Sequence, residues 1–254
     1  MAPRMASMLH GAAVPLALLA LLEWYARGPA AGSDAIAAPT AAAAAFWGAL
    51  RDGSLLTATG FTLLGAATGL ALGFVGGTLV GVLLGLSRRA GRWAFLTVEV
   101  LRPIPSVALI PLAGLIFGFG LWMDGSVVAF ATFWPMLILA QSAARQVDPR
   151  LLEVSNALNL SPLSRMVKIV LPSIVPRLFV AFRLGAAIAL VVAVTVEIAA
   201  NPRGLGYALM LAQENLDPAL MLALLLWTAV IGYAVNALAL RLQRRVDRAM
   251  GVLV

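Results

Sequence analysis

Long apolar stretches without a single charged side chain recur along this chain and constrain its fold more than any other feature. Leu55–Leu86, Ser126–Ala144 and Pro218–Leu240 are the clearest examples. A transmembrane α-helix needs about 20 consecutive apolar residues to cross the hydrocarbon core. Only 11% of the 254 residues are charged, whereas a soluble domain carries about 25%. In water such a chain would expose large apolar patches, so a lipid bilayer is the environment that it fits.

The apolar segments predict an all-α membrane protein with about six transmembrane helices. They form one domain over residues 1–254, with a core from about residue 55 to residue 245. A signal peptide is the alternative for the first segment, although no A-x-A cleavage site stands out there. Pro103, Pro105 and Pro111 interrupt the third segment, so its first part is expected to be kinked or irregular. The segments are about Gly11–Tyr25, Leu55–Leu86, Val98–Phe119, Ser126–Ala144, Ile174–Ala200 and Pro218–Leu240.

The basic residues cluster in alternate connections between the apolar segments, and they account for the net charge of +7. With a cytoplasmic N-terminus, the outer connections hold only Arg27, Arg51 and Arg203, beside Asp34, Asp52, Asp124, Glu214 and Asp217. The positive-inside rule then places both termini on the cytoplasmic side of a bacterial inner membrane. Because the charge follows the topology, membrane lipid is the expected surroundings and nucleic acid is not an expected partner. The inner residues are Arg4, Arg88, Arg89, Arg92, Arg145, Arg150, Arg165, Lys168, Arg241, Arg244, Arg245 and Arg248.

Glycines at four-residue spacing form a stripe along the second apolar segment. The stripe lies on one helical face, where small residues let another backbone approach closely in lipid. We favour packing against another helix of the same chain, and an interface between subunits is the alternative. Its members are Gly65, Gly69, Gly73, Gly77, Gly81 and Gly85.

Residues 148–172 form a polar segment between the fourth and fifth apolar segments. Asp148-Pro149 and Ser161-Pro162 each pair a helix N-cap with proline at the first helical position. They predict one helix over about Pro149–Leu158 and a second that runs to about Leu171, where Pro172 closes or kinks the chain. Two short helices with a tight corner form a compact element that can dock into a groove on a partner.

This polar segment, residues 148–172, resembles the coupling-loop signature of ABC importer permeases, and it is called the coupling loop from here on. The signature reads E-A-A, three residues, G, nine residues and I-x-L-P. The matching positions are Glu153, Val154, Ser155, Asn159, Ile169, Leu171 and Pro172, with the spacing kept throughout. Val-Ser replaces Ala-Ala, and Asn159 stands in the place of glycine. Asparagine also adopts the left-handed conformation that ends helices, so the corner is expected to survive. The resemblance implies that this loop inserts into a cleft of a separate ATPase subunit.

The likeness to the nitrate, sulfonate and taurine branch of these permeases extends over residues 100–105, 108–112, 117–118, 180–185, 197–198 and 204–207. It implies a type I permease fold that assembles as a homodimer. It also implies two ATPase copies, which hold ATP and Mg, and a periplasmic or lipid-anchored solute-binding protein. The implied solute is small and anionic, such as an aliphatic sulfonate, taurine or nitrate.

Charged groups at membrane depth are costly, and they therefore mark candidate positions on a translocation path or gate. Glu197 either lines an external gate or makes a structural hydrogen bond near a helix end. For Arg183 a structural role is favoured, by snorkelling or by contact with the coupling loop. Glu99 and Arg102 stand three residues apart, so a local ion pair that orients the turn at Pro105 is expected, with gating as the alternative.

The residues that are missing exclude several functions. The sequence has no cysteine and only one histidine, His10, so a metal site has almost no ligands and no cofactor is expected on this chain. The sole lysine, Lys168, follows Val167, so no G-x-x-x-x-G-K-[ST] motif is present and ATP hydrolysis must occur on another chain. We therefore expect a non-catalytic subunit. The alternatives are an ion-coupled secondary transporter or channel and a membrane scaffold, and neither explains the spacing of the coupling loop.

Overall fold

The computed structural model describes residue 14, residues 17–31 and residues 35–251, and these residues contain helices and no strand. Residues 17–27 are helical and are called α1; the predicted first span, Gly11–Tyr25, lies partly outside the described residues. The other helices are α2 (Pro39–Arg51), α3 (Ser54–Leu86), α4 (Arg88–Leu101), α5 (Ile110–Phe117), α6 (Leu121–Arg145), α7 (Pro149–Ala157), α8 (Pro162–Arg165), α9 (Leu171–Ala199), α10 (Leu205–Glu214) and α11 (Pro218–Ala249). A 3₁₀ turn over Ser106–Leu109 precedes α5, and a π turn over Met166–Val170 joins α8 to α9.

Helices α3 and α6 form the centre of the bundle, and the glycine stripe is the surface on which they meet. A Cβ atom built on Gly69 would lie 2.4 Å from the Cβ of Val128, and one on Gly81 would lie 2.3 Å from the carbonyl oxygen of Leu137. The two backbones therefore touch with no room for side chains. The predicted packing of the stripe within one chain is confirmed. Helix α9 completes the core, where its Ala186, Ala189 and Ala193 pack with residues of α3 and α6.

The segment between α3 and α6 crosses the bundle, because these two helices run parallel. Gly65 near the start of α3 meets Asp124 near the start of α6, and Gly85 near the end of α3 meets Ala144 near the end of α6. Helix α4 therefore leaves one end of the pair and α5 arrives at the other. Four helical segments of the described residues are long and apolar enough to span a membrane, and the bent pair of α4 with residues 106–117 makes a fifth.

The third predicted span, Val98–Phe119, is irregular as expected, but its predicted bounds are wrong. Helix α4 already begins at Arg88 and ends at Leu101, and the two halves of the span meet at an angle of 82°. Pro103 and Pro105 cause the break, because two prolines within three residues remove two backbone N–H donors from the helical ladder. The last regular bond in α4 runs from the N–H of Arg102 to the carbonyl of Val98, at 3.0 Å.

Pro172 does not close the chain before the fifth span, so this half of the prediction is wrong. Residues 162–199 form one continuous helical segment, so the helix that contains the fifth span begins at Pro162 and not near Ile174. In the π turn, the N–H of Leu171 bonds to the carbonyl of Met166, five residues earlier. Pro172 directly follows this turn and has no N–H to donate to the regular ladder, so the π turn lies where the proline interrupts that ladder. The coupling loop is thus joined directly to a core helix.

Candidate functional site

The two helix starts in the coupling loop are capped as the sequence predicts. The Asp148 carboxylate accepts a hydrogen bond from the N–H of Arg150 at 2.9 Å. The Ser161 hydroxyl accepts one from the N–H of Ser164 at 3.2 Å. Caps of this kind are worth about 1 kcal/mol each, because they satisfy N–H groups that have no partner in the first helical turn.

The corner between α7 and α8 is a Schellman turn centred on Asn159. Asn159 has a φ of 49°, which is the left-handed conformation expected where the family signature has glycine. Its N–H donates to the carbonyl of Asn156 at 2.9 Å, and the N–H of Leu160 donates to the carbonyl of Ser155 at 3.0 Å. The predicted survival of the corner is confirmed. Ser155 is fully buried beneath it and donates its hydroxyl proton to the carbonyl of Leu152 at 2.6 Å.

The signature residues divide into an exposed face and a buried base. Glu153, Val154, Asn159, Leu171 and Pro172 are exposed, whereas Ile169 is half-buried and Ser155 is buried. Exposed leucines flank the corner, among them Leu158 and Leu163. A protruding corner edged by large apolar side chains is typical of a protein–protein contact.

The base of the coupling loop is part of the hydrophobic core at one end of the bundle. Leu152 and Met166 pack against a buried cluster that includes Val82 of α3, Val147, and Ile174 of α9. Close-packed protein interiors have low compressibility, and they therefore transmit a displacement to neighbouring elements. A force on the coupling loop would therefore move the ends of α3, α6 and α9.

The predicted ion pair between Glu99 and Arg102 is present, with 3.7 Å between the carboxylate and the guanidinium. Both side chains are about half exposed, so the pair contributes little stability. Pro105 is exposed and precedes the 3₁₀ turn. These three residues lie at the break between α4 and α5.

Arg102 lines a cavity of about 530 Å³ between this break and the faces of α6 and α9. Its walls are largely apolar, with Phe130, Ile138 and Ile188 among them. Among the described residues, no carboxylate lines the cavity, and its other polar side chains are Ser106 and Trp134. The indole N–H of Trp134 is buried and has no acceptor among the described residues. The charged group that this part of the chain offers to a ligand in the cavity is thus the guanidinium of Arg102.

Arg183 and Glu197 join helices. The Arg183 side chain donates to the Asn236 amide oxygen of α11 at 3.0 Å, which is a structural role as favoured, but its partner is α11 and not the coupling loop. Glu197 is fully buried, and its carboxylate accepts bonds from the Thr62 hydroxyl at 2.8 Å and from the N–H of Gly206 at 2.9 Å. These contacts match the structural hydrogen bond rather than a gate open to solvent.

Three further residues of this buried group were missed in the sequence. Asp124 is fully buried in the first turn of α6, because that helix begins at Leu121 and not at Ser126 as predicted. Its carboxylate accepts a hydrogen bond from the buried Asn201 amide at 2.6 Å. The Thr62 hydroxyl accepts a bond from the N–H of Leu205 at 2.8 Å and so fastens α3 to α10. Among the described residues, no three metal-ligating side chains come together.

The loop after α9 closes over Glu197 with almost no free space. A Cβ atom built on Gly204 would lie 2.2 Å from the Glu197 carboxyl carbon, and one on Gly206 would lie 2.6 Å from the Glu197 Cβ. Gly204 also has a φ of 95°, which side chains rarely allow. The motif Gly204-Leu205-Gly206 is therefore fitted to this carboxylate.

A bundle of apolar helices with a paired-helix loop at one end, joined directly to the core, defines a membrane-spanning transport subunit. Residues 73–252 match the family described as the binding-protein-dependent transport system inner membrane component, and the chain belongs to this family. It is a multi-pass inner-membrane permease of the ABC importer class.

Curated relatives place the chain in the sulfonate, taurine and nitrate branch of these permeases. It is 25% identical over 237 residues to a chain of Bacillus subtilis named as an aliphatic sulfonates transport permease, covering 93% of this chain and 86% of that one. It is 27% identical over 169 residues to the taurine transport system permease of Escherichia coli, covering 66% and 62%. The bicarbonate transport system permease of Synechococcus elongatus is 26% identical over 201 residues, covering 78% and 72%.

A solved structure has the same fold. A chain of the MetNI methionine ABC transporter in an inward-facing conformation aligns with a TM-score of 0.68 and 21% identity. The alignment covers 77% of this chain and 97% of that one. The predicted type I permease-like helical fold is confirmed.

Proposed function

We propose that this permease carries a small anionic solute from the periplasm to the cytoplasm, and that an ATPase subunit drives it through the coupling loop. The observation that carries the proposal is the exposed Schellman corner at Asn159 on a base built into the core. ATP and Mg bind on the ATPase chain, and each of two permease copies receives one ATPase. Closure of the ATPases on ATP favours one of two transporter conformations, which is alternating access.

Glu153, Val154 and Asn159 make the contact with the ATPase in this proposal, because they lie on the exposed face of the loop. Ser155, Ile169, Leu171 and Pro172 hold the loop in shape and join it to α9. Both termini lie in the cytoplasm in this proposal. Helix α11 runs antiparallel to α9, so its C-terminal end lies at the same end of the bundle as the coupling loop. This position supports a cytoplasmic C-terminus.

A second copy of the chain covers α5 and the break between α4 and α5 in this proposal. Glu99 and Arg102 are about half exposed at this break. Charged side chains at membrane depth are costly to expose to lipid, so they indicate a face that another protein surface covers in the assembled transporter. Glu99, Arg102 and Pro105 lie on this same segment, next to the cavity, so the path runs between the two copies.

The cavity beside Arg102 supports an anion as the solute. Sulfonates, nitrate and bicarbonate present several acceptor oxygens that suit the guanidinium of Arg102. An ion-coupled secondary transporter is disfavoured, because no acidic side chain of the described residues lines this cavity and Glu197 is held in a buried hydrogen-bond network. A solute-binding protein delivers the anion at the outer end.

Reversing the charge at Glu153 tests docking. We expect Glu153→Lys to reach the membrane normally and to lose ATP-driven uptake by at least tenfold. An ATPase surface that accepts the Glu153 carboxylate would then meet a lysine, and like charges across an interface cost several kcal/mol. Glu214→Lys, at the opposite end of the bundle, is the matched control and keeps its uptake. Uptake by reconstituted transporter in vesicles is the measurement, and normal uptake by Glu153→Lys would contradict the docking assignment.

Removing the charge of Arg102 tests the anion. We expect Arg102→Gln to lower uptake of the transported anion roughly tenfold, because a charge-assisted hydrogen bond is worth about 1.5–3 kcal/mol. The ATPase should still co-purify with the variant, so a failure here is separate from a failure of docking. Arg203→Gln, outside the cavity, is the control. An Arg102→Gln variant with unchanged uptake and unchanged anion preference would remove Arg102 from the path.

A further inference from the structure

A second cavity, of about 900 Å³, opens at the coupling-loop end of the bundle, where α3 ends, α4 begins and α6 ends. This volume falls within the range of roughly 300–1,000 Å³ that is common for small-molecule sites. We call it the basic groove. It is lined by Gly85, Leu86, Arg88, Gly91, Arg92, Phe95, Ala144, Arg145, Val147, Pro149 and Leu152.

Three arginines line the basic groove, and no carboxylate of the described residues balances them. Arg88 and Arg92 come from the first turns of α4, and Arg145 comes from the last turn of α6. No acidic residue lines the groove, and none of the three arginines has a carboxylate within 4.0 Å among the described residues. Such a concentration of like charge repels itself and attracts an anion.

The guanidinium of Arg145 lies close to α4. A Cβ atom on Gly91 would lie 3.0 Å from the Arg145 terminal nitrogen and 2.9 Å from the carbonyl oxygen of Leu84. The absence of a side chain at Gly91 therefore lets the guanidinium approach α4. Its planar group can bind a phosphate through two parallel hydrogen bonds.

The other residues that line the groove are apolar. Leu86 is the last residue of α3 and Phe95 lies in the middle of α4, and both side chains are exposed. Helices α3 and α6 both change from apolar to arginine-rich sequence at this level, which is where a spanning helix meets the headgroups. A ligand with a phosphate head and hydrocarbon tails satisfies both kinds of wall.

From this juxtaposition we propose that the basic groove binds the phosphodiester headgroup of an anionic phospholipid. Arg88, Arg92 and Arg145 contact the phosphate, and an acyl chain lies along Phe95. Pro149 and Leu152 of the coupling loop form the remaining wall. The lipid therefore touches the element that receives the ATPase, and the anionic lipid content of the membrane adjusts how firmly that element is held.

Native mass spectrometry of the detergent-purified full chain, titrated with phosphatidylglycerol or phosphatidylcholine, tests this site. We expect the protein to retain phosphatidylglycerol preferentially. The double variant Arg92→Gln/Arg145→Gln should bind it about 25-fold more weakly, at about fivefold per arginine, because each basic residue contributes about 1 kcal/mol of attraction to anionic lipid. Arg241→Gln/Arg244→Gln removes two charges at the same end outside the groove and should bind as the parent does.

Three results would overturn the proposal. The first is equal retention of phosphatidylglycerol and phosphatidylcholine, and the second is equal loss of binding in the groove variant and in the control variant. The third is binding of glycerol 3-phosphate as tight as that of phosphatidylglycerol, which would indicate a site for soluble phosphates. If Arg92→Gln/Arg145→Gln fails to fold, the single variant Arg92→Gln, on an exposed residue, replaces it with an expected fivefold loss.

Discussion

At the residue scale, two backbone positions, Asn159 and Gly204, have left-handed φ angles that few residues tolerate. Asn159 takes the place of the family's glycine, because asparagine tolerates a φ of 49° at the end of α7. The sequence was sufficient to predict this, since the spacing of the signature places the corner at that residue. The partners of Glu197 could not be predicted, because Thr62 and Gly206 lie 135 and 9 residues away from it along the chain.

Gly204 provides a direct test of the fit around Glu197. We expect Gly204→Ala to lower the free energy of unfolding by about 1–3 kcal/mol more than Gly118→Ala does, because the new Cβ overlaps the Glu197 carboxyl group. Gly118 is a matched control, since its φ of 68° and ψ of 177° lie in the same glycine-favouring region and no atom lies within 4 Å of its Cβ position. Thermal unfolding in detergent is the measurement. Equal losses in the two variants would show that Glu197 does not constrain the loop.

At the scale of elements, hydrophobic patterning predicted helices better than it predicted their joins. Helix α3 begins one residue before its predicted start, and α7 ends one residue before its predicted end, because caps and charges mark these boundaries. The prolines predicted an irregular third segment, but they did not predict that its two halves bend by 82°. The π turn at Met166–Val170 leaves no mark in the pattern, so the continuity of α8 with α9 was not foreseen.

The α3–α6 contact should fail when its glycines gain side chains. We expect Gly73→Ala to lower the free energy of unfolding by about 1–3 kcal/mol, because its Cβ would lie 2.0 Å from the Thr132 hydroxyl and 2.7 Å from the Ala129 carbonyl. Gly60→Ala, on the same helix with nothing within 4 Å, should be neutral or stabilising by up to about 1 kcal/mol. Fluorescence-detected size exclusion after heating distinguishes them. A Gly73→Ala protein as stable as the parent would contradict this packing.

At the scale of the whole molecule, the bundle has a basic end with the coupling loop and an acidic end with the buried carboxylates. The distribution of charge along the sequence predicted this polarity, and the parallel course of α3 and α6 agrees with it. Three separate features lie at the basic end: the exposed corner, the core cluster beneath it and the basic groove. The cavity beside Arg102 could not be predicted, because α6 and α9 supply most of its walls.

The central claim is that the exposed corner receives an ATPase, and site-directed cross-linking tests it most directly. The chain has no cysteine, so Leu158→Cys introduces a unique thiol at the corner, and Leu216→Cys introduces one beyond α10 at the other end. The two leucines are 65% and 64% exposed, which makes them a matched pair. With a thiol-linked photoactivatable reagent in native membranes, we predict a P-loop ATPase attached to Leu158→Cys and absent from Leu216→Cys. An absence of ATPase from Leu158→Cys, or equal capture at both positions, would contradict the account.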